Sequence, residues 1–328
     1  MSAAAPDGAL EARGTRAQRL RGAIVGAVAA LLAHLPTDAD DGLADAVGEL
    51  WYRAAPGRAA RARGNLAHVA AALAASGRGS GRARAAASDP AALELLVRAA
   101  FRHAARTYVE TLRGAAEVRV ARRRLLFDDP ETVAAAFGAG GPVVFATLHL
   151  GSMMAATAAL PGAVTVPVTA PMETLDDPEL QRILARSRGA GGTRIVPLAT
   201  AARETRAALR RGEAVGLVAD RDIVGGGIAV PLFGLPASLP IGPAFLALEF
   251  GAPLHVAAVF REPGRRYRGV LTTLPHPPAD LPRRARVEAL LAAEARAFED
   301  LVAIAPEQWW TAFFPIWESV GPRRRDDR

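Results

Sequence analysis

Two short stretches carry side chains suited to acid–base chemistry. In Thr147-Leu148-His149-Leu150-Gly151-Ser152, a histidine follows a buried-strand pattern and precedes a helix start. An imidazole exchanges a proton near neutral pH and can act as a general base. The free N–H groups of a helix N-terminus beside it favour an anion or a developing oxyanion. In Asp220-Arg221-Asp222, two carboxylates and a guanidinium follow a second strand pattern. A carboxylate there is suited to orienting His149 or binding substrate, and Arg221 to holding a phosphate. The plainer alternatives are a histidine bonded to nearby backbone and a solvated charge cluster bracing a loop. Gly225-Gly226-Gly227 lacks the strand–GxGxxG–helix setting and the P-loop lysine of a nucleotide site.

Both stretches need a scaffold, and the alternation of patterns supplies one. From Gly140-Gly141 onward, β-branched runs at Val143–Thr147, Val164–Val168, Arg194–Leu198 and Ala214–Ala219 alternate with helical runs at Ser152–Leu160, Pro178–Arg188 and Ala201–Arg211. This predicts an α/β fold with a mixed, largely parallel central sheet flanked by helices. Sites in such sheets lie beyond the carboxyl ends of strands, where both stretches fall. A long Gly- and Pro-rich loop over Asp220–Ile241 leads to a short helix at Pro243–Phe250 and paired strands at Leu254–Phe260 and Tyr267–Thr273. A last helix near Arg284–Ile304 places Val287, Leu291, Phe298, Leu301 and Val302 on one face.

Residues 21–138 read as an N-terminal helical subdomain, with helical patterns over Ala46–Leu73 (interrupted at Pro56-Gly57) and Pro90–Gly114. The Gly-, Ser- and Arg-rich stretch near 75–88 is expected to be a flexible insertion. The α/β domain is expected over 139–320, with residues 1–20 and the charged tail 321–328 disordered.

Composition removes several classes of chemistry. The 328 residues are 51% hydrophobic and 22% charged, enough to bury a sizeable core. With no cysteine, disulfides, thiolate zinc sites and cysteine nucleophiles are excluded. Six histidines are scattered at 34, 68, 103, 149, 255 and 276 without metal-ligand spacing, so no metal is expected. There is no lysine, and the net charge of +7 rests on arginine, whose planar fork suits phosphate. The positive balance fits an anionic membrane surface, and no nucleic-acid motif is present. The apolar run Gly22–Leu35 is shorter than the roughly twenty residues a bilayer crossing needs. It reads as a core helix or, alternatively, an interfacial one. Trp309-Trp310 suits either headgroup depth or burial against the sheet.

Taken in order, these blocks resemble the lysophospholipid acyltransferase superfamily, in its branch of bacterial lipid A biosynthesis acyltransferases and phosphatidylinositol mannoside acyltransferases. Arg63-Gly64-Asn65-Leu66 and Phe101–Arg113 are similar to the N-terminal helices. VVFATLHLGSMM (Val143–Met154) is similar to the catalytic block. Arg186/Arg188 before IVPL, RRGEAVGLVADRD (Arg210–Asp222), VPLFGLPASLPIGPAFLALEFGAPL (Val230–Leu254) and PEQWWTAFFPIW (Pro306–Trp317) are similar to the later blocks. The resemblance implies transfer of an acyl chain from acyl-CoA or acyl carrier protein to a hydroxyl of a glycolipid or lysolipid. It implies no cofactor beyond that donor, and a peripheral place on the cytoplasmic face of the inner membrane. His149 would be the general base, and Gly151, Ser152 and Met154 would border substrate. Arg188 (or Arg186) and Arg221 would hold acceptor or donor phosphates, and the Phe233–Pro240 loop, Phe233 and Gly234 foremost, would border the acyl and headgroup pockets.

The sequence departs from the family at Met154, five residues after His149, where the pattern places Asp or Glu. Ser152 and Met153 replace the usual Asn and aromatic residue. Asp220 or Asp222 is then expected to supply the carboxylate, with Asp220 favoured as the first residue past its strand. Otherwise His149 acts with a backbone carbonyl or water, or the chain is a weakened relative that binds lipid without acylating it.

Overall fold

The computed structural model describes residues 14–34, 37–138, 140–163 and 166–320. Among the described residues, six helices come first: α1 (Arg16–His34), α2 (Thr37–Ala54), α3 (Pro56–Ser76), α4 (Gly81–Ala85), α5 (Pro90–Arg113) and α6 (Ala115–Arg124). Proline opens α3 and α5, where a missing N–H costs nothing, and the Asp89 carboxylate caps α5 by accepting from Ala91 N–H. After β1 (Leu125–Phe127) and α7 (Pro130–Gly138), strands and helices alternate: β2 (Val143–Gly151), α8 (Met153–Ala163), β3 (Val168–Met172), α9 (Pro178–Gly189), β4 (Arg194–Pro197), α10 (Ala201–Arg210) and β5 (Ala214–Val218). Then come β6 (Ile228–Leu232), β7 (Leu235–Leu239), α11 (Gly242–Phe250), β8 (Leu254–Glu262), β9 (Arg266–Leu274) and α12 (Arg283–Ile304).

Seven strands form one sheet in the order β1-β9-β8-β2-β5-β3-β4, parallel except at the β8–β9 hairpin. The expected largely parallel sheet between helices is therefore present. The strand carrying His149 is central, between β8 and β5, and Val143–Ala146 is buried without a break. Burial on both faces explains its continuous apolar run. The main core packs β2, β5 and β8 against α3, α5, α11 and α12, with Phe101, Leu148, Leu150, Phe298 and Trp309 among its largest buried side chains.

Several expectations are corrected. The second sheet strand runs over Val168–Met172 rather than Val164–Val168, and Val164 and Thr165 lie outside the described residues. The loop Asp220–Ile241 contains the antiparallel hairpin β6–β7. Pro231 and Pro236, which disguise it as loop, face each other in this separate two-stranded sheet, which offers the edges that proline requires. Its turn, Phe233-Gly234, has φ of 51° and 80°, as a two-residue hairpin turn with both residues left-handed demands. Among the described residues helix begins at Arg16, within the stretch 1–20 expected to be disordered; residues 1–13 and the tail 321–328 lie outside the described residues. The stretch 75–88 holds α4, capped by Ser80 and anchored by buried Ala83 and Ala86. Helix α1 is not a core helix: Leu20, Ile24, Val28 and Leu31 are exposed along one side, and only Gly22 and Leu32 are buried. Among the described residues no helix is long and apolar enough to cross a membrane.

Candidate active site

His149 sits where β2 loses its regular pairing. Thr147 lies opposite Ala257 of β8, yet Gly151 lies opposite Val259, so two extra residues of β2 bulge from the ladder. Such bulges re-aim side chains beside active sites. Gly151 makes this one feasible: its φ is 64°, and a Cβ there would stand 2.0 Å from the Val259 carbonyl oxygen. Freed from the ladder, the His149 N–H turns to Asp220 Oδ2 at 3.0 Å.

On the other side, β2 and β5 run parallel with Thr147 opposite Val218, which carries Asp220 alongside His149. The imidazole Nδ1 lies 2.8 Å from Asp220 Oδ1. Oδ2 accepts from Trp309 Nε1 at 2.9 Å and Thr311 Oγ1 at 2.7 Å besides the His149 amide. The carboxyl group is buried. Burial alone would raise its pKa, but the charge and hydrogen bond of His149, with the hydrogen bonds from Thr311 and Trp309, outweigh it and hold the group below the ordinary carboxylate range. An ionised carboxylate only accepts, so the proton of neutral His149 is on Nδ1 and the lone pair on Nε2. Among the described residues nothing hydrogen-bonds Nε2, and the side chain is 18% exposed. A histidine so held can take a proton from a hydroxyl, and the carboxylate stabilises the resulting cation.

The remaining expected residues divide. Asp222 is not brought to His149: its Oδ2 accepts from Gly227 N–H at 2.9 Å and Ser238 Oγ at 3.0 Å, closing the base of the 222–227 loop. Met154 is buried on α8 in an apolar cluster with Val118, Ala121, Val259 and Tyr267. Ser152 is fully buried and donates to Glu110 Oε2 at 2.8 Å, so its hydroxyl serves the fold rather than a substrate surface. Phe233 is buried against Trp309 and Trp317, backing the indole that bonds Asp220, while Gly234 is exposed at the hairpin tip.

Arg188 and Arg221 are both near the Glu173 carboxylate. Burial is the main influence on each and lowers its pKa, and Glu173 opposes that. The Arg221 guanidinium lies over the Phe314 ring at 3.7 Å. Among the described residues no hydrogen bond or ion pair holds Arg188, leaving a largely desolvated fork beside Tyr108. Aromatic rings connect these cations to the base: Trp310 packs on His149 at 5.3 Å between centroids, Tyr108 on Trp310 at 6.2 Å, and Phe314 on Trp310 at 5.3 Å. Trp309, Thr311, Trp310 and Glu173 were not singled out as site residues from the sequence. The one available signal was the Trp309-Trp310 pair, and Trp309 is buried rather than at a membrane surface. Among the described residues no group of three or more His, Asp or Glu side chains is placed to hold a metal ion.

The family model for bacterial lipid A biosynthesis acyltransferase matches residues 15–317. No curated protein matches the chain.

Proposed function

The chain belongs to the bacterial lipid A biosynthesis acyltransferase family, and we propose that it moves a fatty acyl chain from acyl-CoA or acyl carrier protein to a hydroxyl of a membrane glycolipid or lysolipid, with His149 as general base. The observation that carries this reading is the buried Asp220 carboxylate on His149 Nδ1. In the proposed reaction Nε2 takes the proton of the acceptor hydroxyl. The oxygen attacks the thioester carbonyl, and the C–S bond breaks as the thiolate leaves and takes up that proton from Nε2. No covalent acyl-enzyme is required, in keeping with a chain that has no cysteine. Arg188 and Arg221 are assigned to phosphate on acceptor or donor, since a guanidinium fork suits a bidentate anion.

The acceptor is proposed to be reached from an anionic bilayer, with the protein peripheral on the cytoplasmic face of the inner membrane. Support comes from the exposed row Leu20, Ile24, Val28 and Leu31 on α1, and from exposed Leu43, Val47 and Leu50 on α2. Exposed apolar helix faces with arginine nearby favour interfacial binding. The alternative, a lipid binder without transferase activity, is motivated by Met154, which leaves the family's usual position without an acid. Incubation with host membrane lipids and isotope-labelled acyl-CoA or acyl carrier protein, followed by lipid mass spectrometry, separates the two. A new lipid heavier by one acyl group is expected. Lipid binding with neither donor consumed would establish the alternative.

A further inference from the structure

Beneath the catalytic bulge lies a buried carboxylate that the proposed chemistry does not use. Glu110, on α5, accepts from Ser152 Oγ at 2.8 Å and from Arg261 Nε and Nη2 at 2.6 and 2.7 Å. Both side chains of the Glu110–Arg261 pair are under 9% exposed. Each partner leads to one half of the His149–Asp220 pair. Ser152 follows the bulge directly, its N–H bonds the Val259 carbonyl at 2.7 Å, and its hydroxyl caps α8 by accepting from Ala155 N–H at 3.1 Å. On the other arm, the Arg261 backbone N–H and C=O are both bonded by the Gln308 amide at 2.9 Å. Gln308 precedes Trp309, which bridges to Leu150 and donates to Asp220.

We propose that Glu110 and Ser152 are positioning residues for acyl transfer: one carboxylate anchors His149 through Ser152 and Asp220 through Arg261, Gln308 and Trp309, fixing the angle between imidazole and carboxylate in a chain whose residue 154 is apolar. This rests on the acyl-transfer reading. The geometry favours a shared anchor because the bulge has surrendered its ladder bonds at Leu148–Leu150. Without another hold, the backbone of His149 would be fixed on the β8 side only where pairing resumes at Gly151. Near-attack geometry is steep in distance, and a misplacement of about 1 Å costs on the order of a hundredfold in rate.

Ser152→Ala removes the link while leaving the Glu110–Arg261 ion pair intact. The full chain carrying it is expected to fold, to lose roughly ten- to a hundredfold in kcat with donor KM unchanged, and to shift or broaden the low-field proton resonance of His149 Nδ1–H. Gln308→Met tests the other arm and is expected to move the same resonance; it serves should Ser152→Ala fail to fold. The resonance does not depend on turnover, so it remains informative even if wild type transfers no acyl group. An unchanged resonance in both variants would overturn the proposal, whatever the kinetics. So would wild-type kcat in a folded Ser152→Ala protein.

Discussion

Replacing Asp220 by asparagine changes one atom and, by the geometry of the site, inverts the base. Three donors converge on Oδ2: His149 N–H at 3.0 Å, Trp309 Nε1 at 2.9 Å and Thr311 Oγ1 at 2.7 Å. Asparagine has a single acceptor oxygen, and turning its NH2 toward those three would leave each unpaired at about 1–3 kcal/mol apiece. The oxygen therefore stays at Oδ2, and the NH2 takes the Oδ1 place, 2.8 Å from Nδ1. An NH2 only donates, so Nδ1 must surrender its proton and Nε2 must carry it, which removes the lone pair that attacks the acceptor hydroxyl. In the serine-protease triad the comparable change costs about 10⁴ in kcat, or about 5 kcal/mol of barrier. Single-turnover transfer from a labelled donor, with melting temperature as a check on folding, measures the loss. A folded Asp220→Asn protein within tenfold of wild type would refute the assignment of base and orienter.

Met154→Asp restores the family's residue but buries a carboxylate among Val118, Ala121, Val259 and Tyr267; a lower melting temperature and no gain in transfer rate are expected, and a rate increase would contradict the role given to Asp220. Arg188→Met is expected to leave stability unchanged or higher and to lower kcat/KM by about tenfold to a hundredfold through KM, as for the loss of a charged hydrogen bond of about 1.5–3 kcal/mol; unchanged KM for both substrates would remove Arg188 from the site. Burial pushes the pKa of the Glu294 carboxyl well above its ordinary value. Its folded form is thus most stable below the unfolded carboxyl range near about 4.3 and loses stability as pH rises toward the folded value. Glu294→Gln should therefore melt with wild type near that lower limit and increasingly above it toward neutral pH, whereas parallel melting curves would contradict the assignment. Ile24→Glu with Val28→Glu should weaken sedimentation with anionic vesicles at low salt by at least about tenfold, and equal sedimentation would show that α1 is not the contact.

The sequence disclosed the central geometry because parallel strands of similar length place their carboxyl ends together. His149 and Asp220 each stood just past such an end, and β2 and β5 are adjacent with Thr147 opposite Val218. The choice between Asp220 and Asp222 turned on side-chain direction and on a bulge, and neither leaves a mark in residue type. Gly151 permits the bulge, since a Cβ there would meet the β8 backbone, a contact visible only in the fold. The donors that complete the site were out of reach: Trp309 and Thr311 lie 89 and 91 positions from Asp220, and only the packed fold joins them. Hairpin β6–β7 was hidden by its prolines. The apolar run of α1 suggested burial because composition alone does not say whether an apolar helix face has a partner.

The most direct test of the central claim compares wild type with His149→Ala in single-turnover transfer from labelled acyl-CoA, repeated with acyl carrier protein, to lipids extracted from the host membrane. Transfer by wild type that disappears with His149→Ala is expected, both proteins retaining the same fold and melting temperature. Equal transfer by the two would place the base elsewhere and contradict the mechanism.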